Sequence, residues 1–413
     1  MAERLHIRRL GGRGDGIAEG GGATIYVPHA LPGETVVVER QGMRARVLAV
    51  ETASPDRIEP FCPYFGACGG CLTQHMSQPL YRAWKQGILA DALAKAGIAT
   101  RIEPLVDAHG AGRRRITLHA RLKDGVRVGY MKPRSHELLA IKTCPVAEPA
   151  LQRAPEIAHA LALVLAKAGK PLDVQITSTE TGLDIDIRGH GPLSNSERQG
   201  LAAAAGAHDL ARIALHGEVV AERRRPLVTM GLAAVSPPPG GFLQATRAGE
   251  EALAQIVREA CAAARRVADL FAGCGPFSLR LAEAHDIHAV DGDAAALAAL
   301  DKAARHTPRL RRVTTETRDL FRRPLLPPEL ARFDAVVMDP PRAGAEAQAR
   351  QLAAASTPTV VSVSCDAGTF ARDAGILVAG GYRLERVVPV DQFKHTPHLE
   401  IVGVFRRKHE PSR

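Results

Sequence analysis

Three of the chain's seven cysteines fall within ten residues, in Phe61-Cys-Pro-Tyr-Phe-Gly-Ala-Cys-Gly-Gly-Cys71. A fourth, Cys144, stands directly before Pro145. An odd number of thiols in a long chain argues against a disulfide framework and for metal ligation or catalysis. Far downstream, Cys365 closes the apolar run Val361-Ser-Val-Ser-Cys365. A cysteine there is as readily core as nucleophile. A nucleophile needs partial exposure and a positive local field, for which the helix predicted over 368–379 and Arg342 are the candidates.

Two further motifs share that strand-end setting. Asp269-Leu-Phe-Ala-Gly-Cys-Gly275 is a Gly-rich turn between a strand and a helix, where a cofactor can approach the backbone. Ser278 occupies the third Gly position of a dinucleotide fingerprint, and no Gly-Lys-Ser/Thr follows, so the motif is neither that fingerprint nor a phosphate loop. The next strand ends at Asp291, where a carboxylate can accept hydrogen bonds from both hydroxyls of a ribose. Loop plus acid points to S-adenosylmethionine, with a nicotinamide site or an empty turn as the alternatives. Val336-Val-Met-Asp-Pro-Pro-Arg342 then sets Asp339 over the same crevice, and its two prolines deny a helix.

A thiolate beside a methyl donor suggests one chemistry. Carbon 5 of uracil is a poor nucleophile. Thiolate addition at carbon 6 moves electron density onto carbon 5, which can then take a methyl group. A base must next remove the carbon-5 proton, and Asp391-Gln-Phe-Lys-His-Thr-Pro-His-Leu-Glu400 offers imidazoles and carboxylates, with Glu400 entering the last strand.

The elements that must hold these groups follow from the hydrophobic pattern. Residues 1–53 carry short β-branched runs at 24–27, 35–39 and 45–50 between Gly and Pro turns, which predicts a small barrel. A helix is predicted over 79–98, from Leu80, Trp84, Ile88 and Leu93. Strands follow at 114–122 and 125–130, a helix at 151–168, and a hairpin at 172–188 around Thr181-Gly182. Ser236-Pro-Pro-Pro-Gly-Gly241 marks a boundary, and the Ala-rich tract 201–206 reads as compositional. Beyond it, after a helix at 245–264, strands at 266–270, 287–290, 312–316, 335–338, 359–364, 383–389 and 398–405 alternate with helices. This predicts a doubly wound, Rossmann-like α/β sheet whose strand order the pattern does not reveal. The expected organisation is a barrel at 1–53, a central α+β region at 54–240 with the cysteine turn, and an S-adenosylmethionine-dependent domain at 241–413.

Net charge is +10, carried largely by Arg runs such as 113–115 and 223–225, which would draw a polyanion such as nucleic acid. Aromatic residues are only 4%, which argues against a base-stacking platform of the RNA-recognition-motif kind. No run of 18 apolar residues and no secretory leader is evident, so a cytoplasmic protein without membrane attachment is expected, and a monomer is expected alongside.

Together the motifs resemble the RNA (uracil-5-)-methyltransferases, most closely the bacterial 23S ribosomal RNA branch. The matching residues are Cys62-x5-Cys68-Gly-Gly-Cys71-x2-Gln74-His75, Cys144-Pro145, Gly241-Phe-Leu-Gln244, 269–275, Asp339-Pro-Pro-Arg342, Ser364-Cys365 and His395-Thr-Pro-His-Leu-Glu400. Gly14-Asp-Gly-Ile-Ala18 and Val27-Pro-His-Ala-Leu-Pro-Gly-Glu34 resemble the TRAM domain, an RNA-binding barrel of the ribosomal branch. The resemblance implies that Cys365 is the nucleophile and Glu400 the base. It implies that Gln244, Phe271, Asp291, Asp319 and Asp339 line the S-adenosylmethionine site, and that Cys62, Cys68, Cys71 and Cys144 hold a [4Fe–4S] cluster, with zinc the alternative. The implied substrate is 23S rRNA. Alternatives are the T-loop of tRNA, cytosine methylation, and an RNA-binding or folding factor with a silent methyltransferase domain. Pro276 and Pro397 depart from the family pattern, where Asn and Gly are usual.

Overall fold

The computed structural model describes residues 2–20 and 23–407. Its largest sheet has eight strands, in the spatial order Val313–Thr317, Asp286–Asp291, Arg266–Leu270, Ala335–Met338, Thr359–Ser364, Glu400–Arg407, Tyr382–Asp391 and Val106–Asp107. The first five run parallel, and Glu400–Arg407 lies antiparallel to both neighbours. The central strands are apolar on both faces because helices cover both. Ala268, Leu270, Val336 and Met338 pack with Leu352, Phe370 and Leu377 on one side. Val267, Val337, Val361 and Val363 pack with Leu253, Val257 and Leu281 on the other. The chain steps outward from Arg266–Leu270 in one direction, then returns to add Ala335–Met338 on its other flank. That reversal opens a crevice at the carboxyl ends of the strands, where open α/β sheets bind ligands. The fold is an α/β class I methyltransferase-like fold.

Two segments from before residue 241 join this sheet. Val106–Asp107 pairs with Val390 and Asp391 at its edge. Helix Gln78–Lys95 begins at the Ser77 N-cap and buries Leu89 and Leu93 in the same cluster as Phe370 and Leu377.

A seven-stranded sheet built from segments between residues 115 and 222 packs one face against helices Ala154–Val164 and Asn195–Ala207. The Ala-rich tract at 201–206 thus has a structural role. It continues a helix opened by a Ser194/Glu197 capping box and buries Leu201 and Ala205. Near the N-terminus, six strands enclose a small core of Ile7, Ile25, Val27, Val36 and Val38.

Candidate active site

Seven residues singled out in the sequence, Gln244, Phe271, Asp291, Asp319, Asp339, Cys365 and Glu400, open on one cavity of about 550 Å³ at the carboxyl edge of the large sheet. Strand Arg266–Leu270 ends in a sharp turn: Phe271 takes a left-handed φ of 61° and Gly275 one of 87°. A Cβ on Gly275 would stand 2.7 Å from Leu300, so both its backbone angle and its surroundings call for glycine. Beneath the turn, Ser278 Oγ donates to Asp269 at 2.6 Å, and burial pushes the Asp269 carboxyl up to about 7. Asp291 ties the turn from the next strand, its two oxygens accepting from Gly273 N at 2.8 Å and Asp293 N at 2.7 Å. Asp319 accepts from Phe321 N at 3.0 Å, and the Phe271 and Phe321 rings lie 5.5 Å apart.

The other end of the cavity carries the reactive groups. Ser364 pairs with Ile401 across an antiparallel ladder, so Cys365 and Glu400 are neighbours although 35 residues apart. Glu400 is only 3% exposed, and burial raises its carboxyl from the ordinary 4.5 to about 7. Burial, then the charge of Glu400, pushes Asp339 well above the usual carboxylate range. The Cys365 thiol is raised to about 11 by burial, Glu400 and Asp339, in that order, while Arg342 pulls it down. The positive field expected at Cys365 is therefore outweighed by these neighbours. The amides opening helix Ala367–Ala379 do not supply it either, because the Asp366 side chain accepts from Gly368 N and Thr369 N. Arg342 Nη2 also donates to His398 Nε2 at 3.0 Å, and burial lowers that imidazole to about 4.

Residues that sequence reasoning passed over hold this arrangement. Gln392 Nε2 donates to Gln244 Oε1 at 2.6 Å and to Glu400 Oε1 at 3.0 Å, and Gln244 Nε2 donates to Asp339 at 2.9 Å. The loop between Asp391 and Glu400 is anchored from helix Gln78–Lys95. Buried Lys85 pairs with Asp391 at 3.0 Å and also donates to the His398 carbonyl. Tyr81 Oη donates to Asp391 at 2.6 Å and accepts from His395 N at 3.1 Å. Residue 395, not 397, takes the left-handed φ in this loop, so Pro397 is accommodated without strain.

The four cysteines Cys62, Cys68, Cys71 and Cys144 are unpaired and line a second cavity of about 300 Å³ with Gln74, Arg113, Arg115 and Tyr130. Gly70 N donates to Cys68 Sγ at 3.4 Å. Burial raises Cys68 and pushes Cys71 up to about 11. Gln74 Oε1 accepts from Cys62 N at 3.1 Å, whereas its Nε2 is buried without a partner. Among the described residues, no three His, Cys, Asp or Glu side chains gather closely enough to hold one metal ion. The cysteine turn touches the loop before Glu400, through Leu72 N donating to the His395 carbonyl at 2.8 Å.

One expectation from composition needs correction. The Arg113–Arg115 run faces inward: Arg114 pairs with buried Glu250 and donates to the Gln244 carbonyl at 2.9 Å, and Arg115 donates to the Gly241 carbonyl at 2.7 Å. Arg223 and Arg224 share Asp209, at 2.7 and 2.8 Å. These runs brace the fold or are locally neutralised, and offer less charge to a polyanion than their count suggests. Phe242, 64% exposed, and Phe321, 49% exposed, line the mouth of the larger cavity.

A family model described as tRNA (Uracil-5-)-methyltransferase matches residues 306–409. An uncharacterized RNA methyltransferase of Brucella suis is 45% identical over 405 residues, covering 98% of each chain. The 23S rRNA (uracil(1939)-C(5))-methyltransferase RlmD of Chromohalobacter salexigens is 34% identical over 440 residues, covering 98% of this chain and 90% of its own. Among solved structures, the tRNA (uracil-54, C5)-methyltransferase of Pyrococcus abyssi, in complex with S-adenosyl-L-homocysteine, superimposes with a TM-score of 0.76 at 22% identity, over 97% of this chain and 99% of its own. That last likeness is one of fold.

Proposed function

The chain belongs to the RNA (uracil-5-)-methyltransferase family, and from that premise we propose that it methylates carbon 5 of one uridine in 23S rRNA through a covalent adduct with Cys365. The observation that carries this reading is the adjacency of Cys365 and Glu400 across the ladder, on the same cavity as the turn after Leu270. Bound S-adenosylmethionine supplies an electrophilic methyl group. Phe271, Asp291, Asp319, Asp339 and Gln244 would hold it. Asp291 keeps a free lone pair on each oxygen for ribose hydroxyls, beyond the backbone amides it already accepts from.

Cys365 Sγ adds to carbon 6 of the uracil, and the displaced π electrons make carbon 5 nucleophilic. After carbon 5 has gained its methyl group, Glu400 takes the carbon-5 proton, the ring double bond reforms, and the carbon–sulfur bond breaks. A carboxyl near 7 is matched to that exchange at neutral pH. The thiol must first lose its proton against two neighbouring carboxyl groups, and Arg342 is the residue that favours this. Phe242 and Phe321 at the mouth offer faces to unstacked bases of the RNA.

Cys62, Cys68, Cys71 and Cys144 would hold a [4Fe–4S] cluster: four free thiols stand around a cavity rather than converging on one point, and Gly70 N and Gln74 Nε2 are available to sulfur. Such a group would staple the turn against the loop before Glu400. The six-stranded N-terminal unit would act as the TRAM-like RNA-binding barrel, in a cytoplasmic monomer. Ribosomal RNA is preferred over tRNA because the RlmD relative matches over nearly the full chain and the TRAM-like motifs belong to that branch.

The test is covalent capture. RNA carrying 5-fluorouridine at the target should form a denaturation-resistant complex with the parent protein and none with Cys365→Ala. Mapping 5-methyluridine in total RNA with and without the gene names the target. Normal methylation by Cys365→Ala would overturn the mechanism, and loss of a tRNA site rather than a 23S rRNA site would overturn the choice of RNA.

A further inference from the structure

Gln392 follows the last residue of strand Tyr382–Asp391 and is fully buried, at 0% exposure. Its carboxamide is used at every position that meets the site. Nε2 donates to Glu400 Oε1 at 3.0 Å and to Gln244 Oε1 at 2.6 Å, and Oε1 accepts from Thr246 N at 3.4 Å. Gln244 then donates to Asp339 at 2.9 Å. The two amides thus form a directed chain between the two buried carboxyl groups. Thr246 N donates to Gln392 Oε1, and turning the amide over would set its NH2 against that backbone N–H, which keeps Nε2 toward Glu400 and Gln244. Gly249 packs against the same side chain: a Cβ there would stand 2.5 Å from Gln392 Oε1 and 2.7 Å from its Cβ. Glu400 faces the cavity, and its other oxygen, Oε2, is buried with no hydrogen-bond partner.

We propose that Gln392 is a positioning residue for the proton-removal step, holding Glu400 by Oε1 so that Oε2 faces the carbon-5 proton. The inference rests on the uracil-methylation reading above. Before this step, carbon 5 carries the new methyl group and its original proton, and carbon 6 carries Cys365 Sγ. Oε2 takes the proton, the carbon–hydrogen pair becomes the carbon 5–carbon 6 double bond, and the carbon–sulfur pair leaves with sulfur. An N–H donated to Glu400 favours its ionised, proton-accepting form. The charged groups acting on the same carboxyl are Asp339 and Cys365 at the edges of their strands, Arg342 after Asp339, and Lys85 from helix Gln78–Lys95. Of these, only the two cations favour ionisation, and the Gln392 hydrogen bond acts in the same direction.

Gln392→Met keeps the length of the side chain and removes its hydrogen bonds. The full protein would be mixed with S-adenosylmethionine and target RNA carrying tritium at carbon 5, following methyl incorporation and tritium release together. In the parent the two run in parallel. In Gln392→Met, release should slow more than first-turnover methylation, because Gln392 meets the methyl-donor residues only through Gln244 but holds Glu400 directly. Tritium release should lag by roughly ten- to a hundredfold, the covalent adduct should accumulate on unmodified uridine, and the pH midpoint of release should rise by about one unit. Unchanged melting and S-adenosylhomocysteine affinity would separate this from misfolding. Should Met unfold the chain, Gln392→Asn, which draws the amide back by one methylene, is expected to show the same lag. Methylation and release slowed in equal proportion, or neither changed, would overturn the role of Gln392. Absence of any adduct between the parent and 5-fluorouridine RNA would instead overturn the underlying mechanism.

Discussion

Replacing Glu400 with glutamine should make the protein more stable and catalytically stuck. Glu400 is buried and its carboxyl rises from 4.5 to about 7 on folding, first because of burial. A raised carboxyl binds its proton more tightly in the folded state, so stability falls as pH climbs from about 4.5 to 7 and stays reduced above that. The interval is worth about 3 kcal/mol at about 1.4 kcal/mol per pH unit. Gln392 Nε2 can still donate to the oxygen of a glutamine at 400, so the substitution removes the charge and keeps that contact. Denaturant unfolding of the parent and Glu400→Gln, without ligands, should therefore differ by about 3 kcal/mol in favour of the variant at pH 8, and by under about 0.5 kcal/mol at pH 4. Part of the gain at pH 8 would come through Asp339, which the Glu400 charge also raises. The same variant should form the covalent RNA adduct and fail to release it. A stability difference that is constant with pH, or a less stable variant at pH 8, would refute the assignment of a costly buried charge at this position.

Two other outcomes follow from the sites described. With no methyl donor present, alkylation of Cys365 should rise with pH toward a midpoint near 11, and Asp339→Asn should lower that midpoint by removing a carboxyl that opposes the thiolate; a midpoint near the free-thiol value in the parent would contradict the geometry. If the four-cysteine cavity holds an iron–sulfur cluster, protein purified without air should absorb near 400 nm, and both Cys68→Ser and iron chelation should abolish that band and lower the melting temperature; a colourless protein whose melting is indifferent to chelators would remove the proposal.

How much of this could be read from residue order varies from element to element. Strands 266–270, 335–338 and 359–364 are recovered to the residue, because each is a short apolar run closed by an abrupt polar residue or a glycine turn. Strand Val106–Asp107 was not legible: two residues long, it exists only because Val390 and Asp391 offer an open edge far along the chain. Phe271, Asp291, Asp339, Cys365 and Glu400 were legible because each ends, follows or begins a strand, and strand ends are where an α/β sheet does its chemistry, whereas Gln244, in the loop before helix Arg247–Cys261, and Asp319 came from the family resemblance. Lys85 reads as an ordinary solvated lysine on an amphipathic helix; only the folded neighbour Asp391 explains its burial. Gln392 carries no pattern of its own, and its importance lies in two partners 148 and 8 residues away. The Arg113–Arg115 run misled in the opposite sense, since three adjacent charges look like surface until a buried Glu250 and two carbonyls are seen to receive Arg114 and Arg115.

The edge pairing of Val106–Asp107 and the Lys85–Asp391 contact limit how this protein can be cut. A fragment starting at residue 241 would keep the whole turn after Leu270, yet it would bare the Val390–Asp391 end of strand Tyr382–Asp391, a template for aggregation. It would also strand Asp391 in an apolar setting without its ammonium counterpart, a loss on the order of 3–5 kcal/mol. Excision intended to isolate the half that carries Cys365 and Glu400 must carry residues 78–107 along with it, and any natural shuffling of this module would have to move both pieces together.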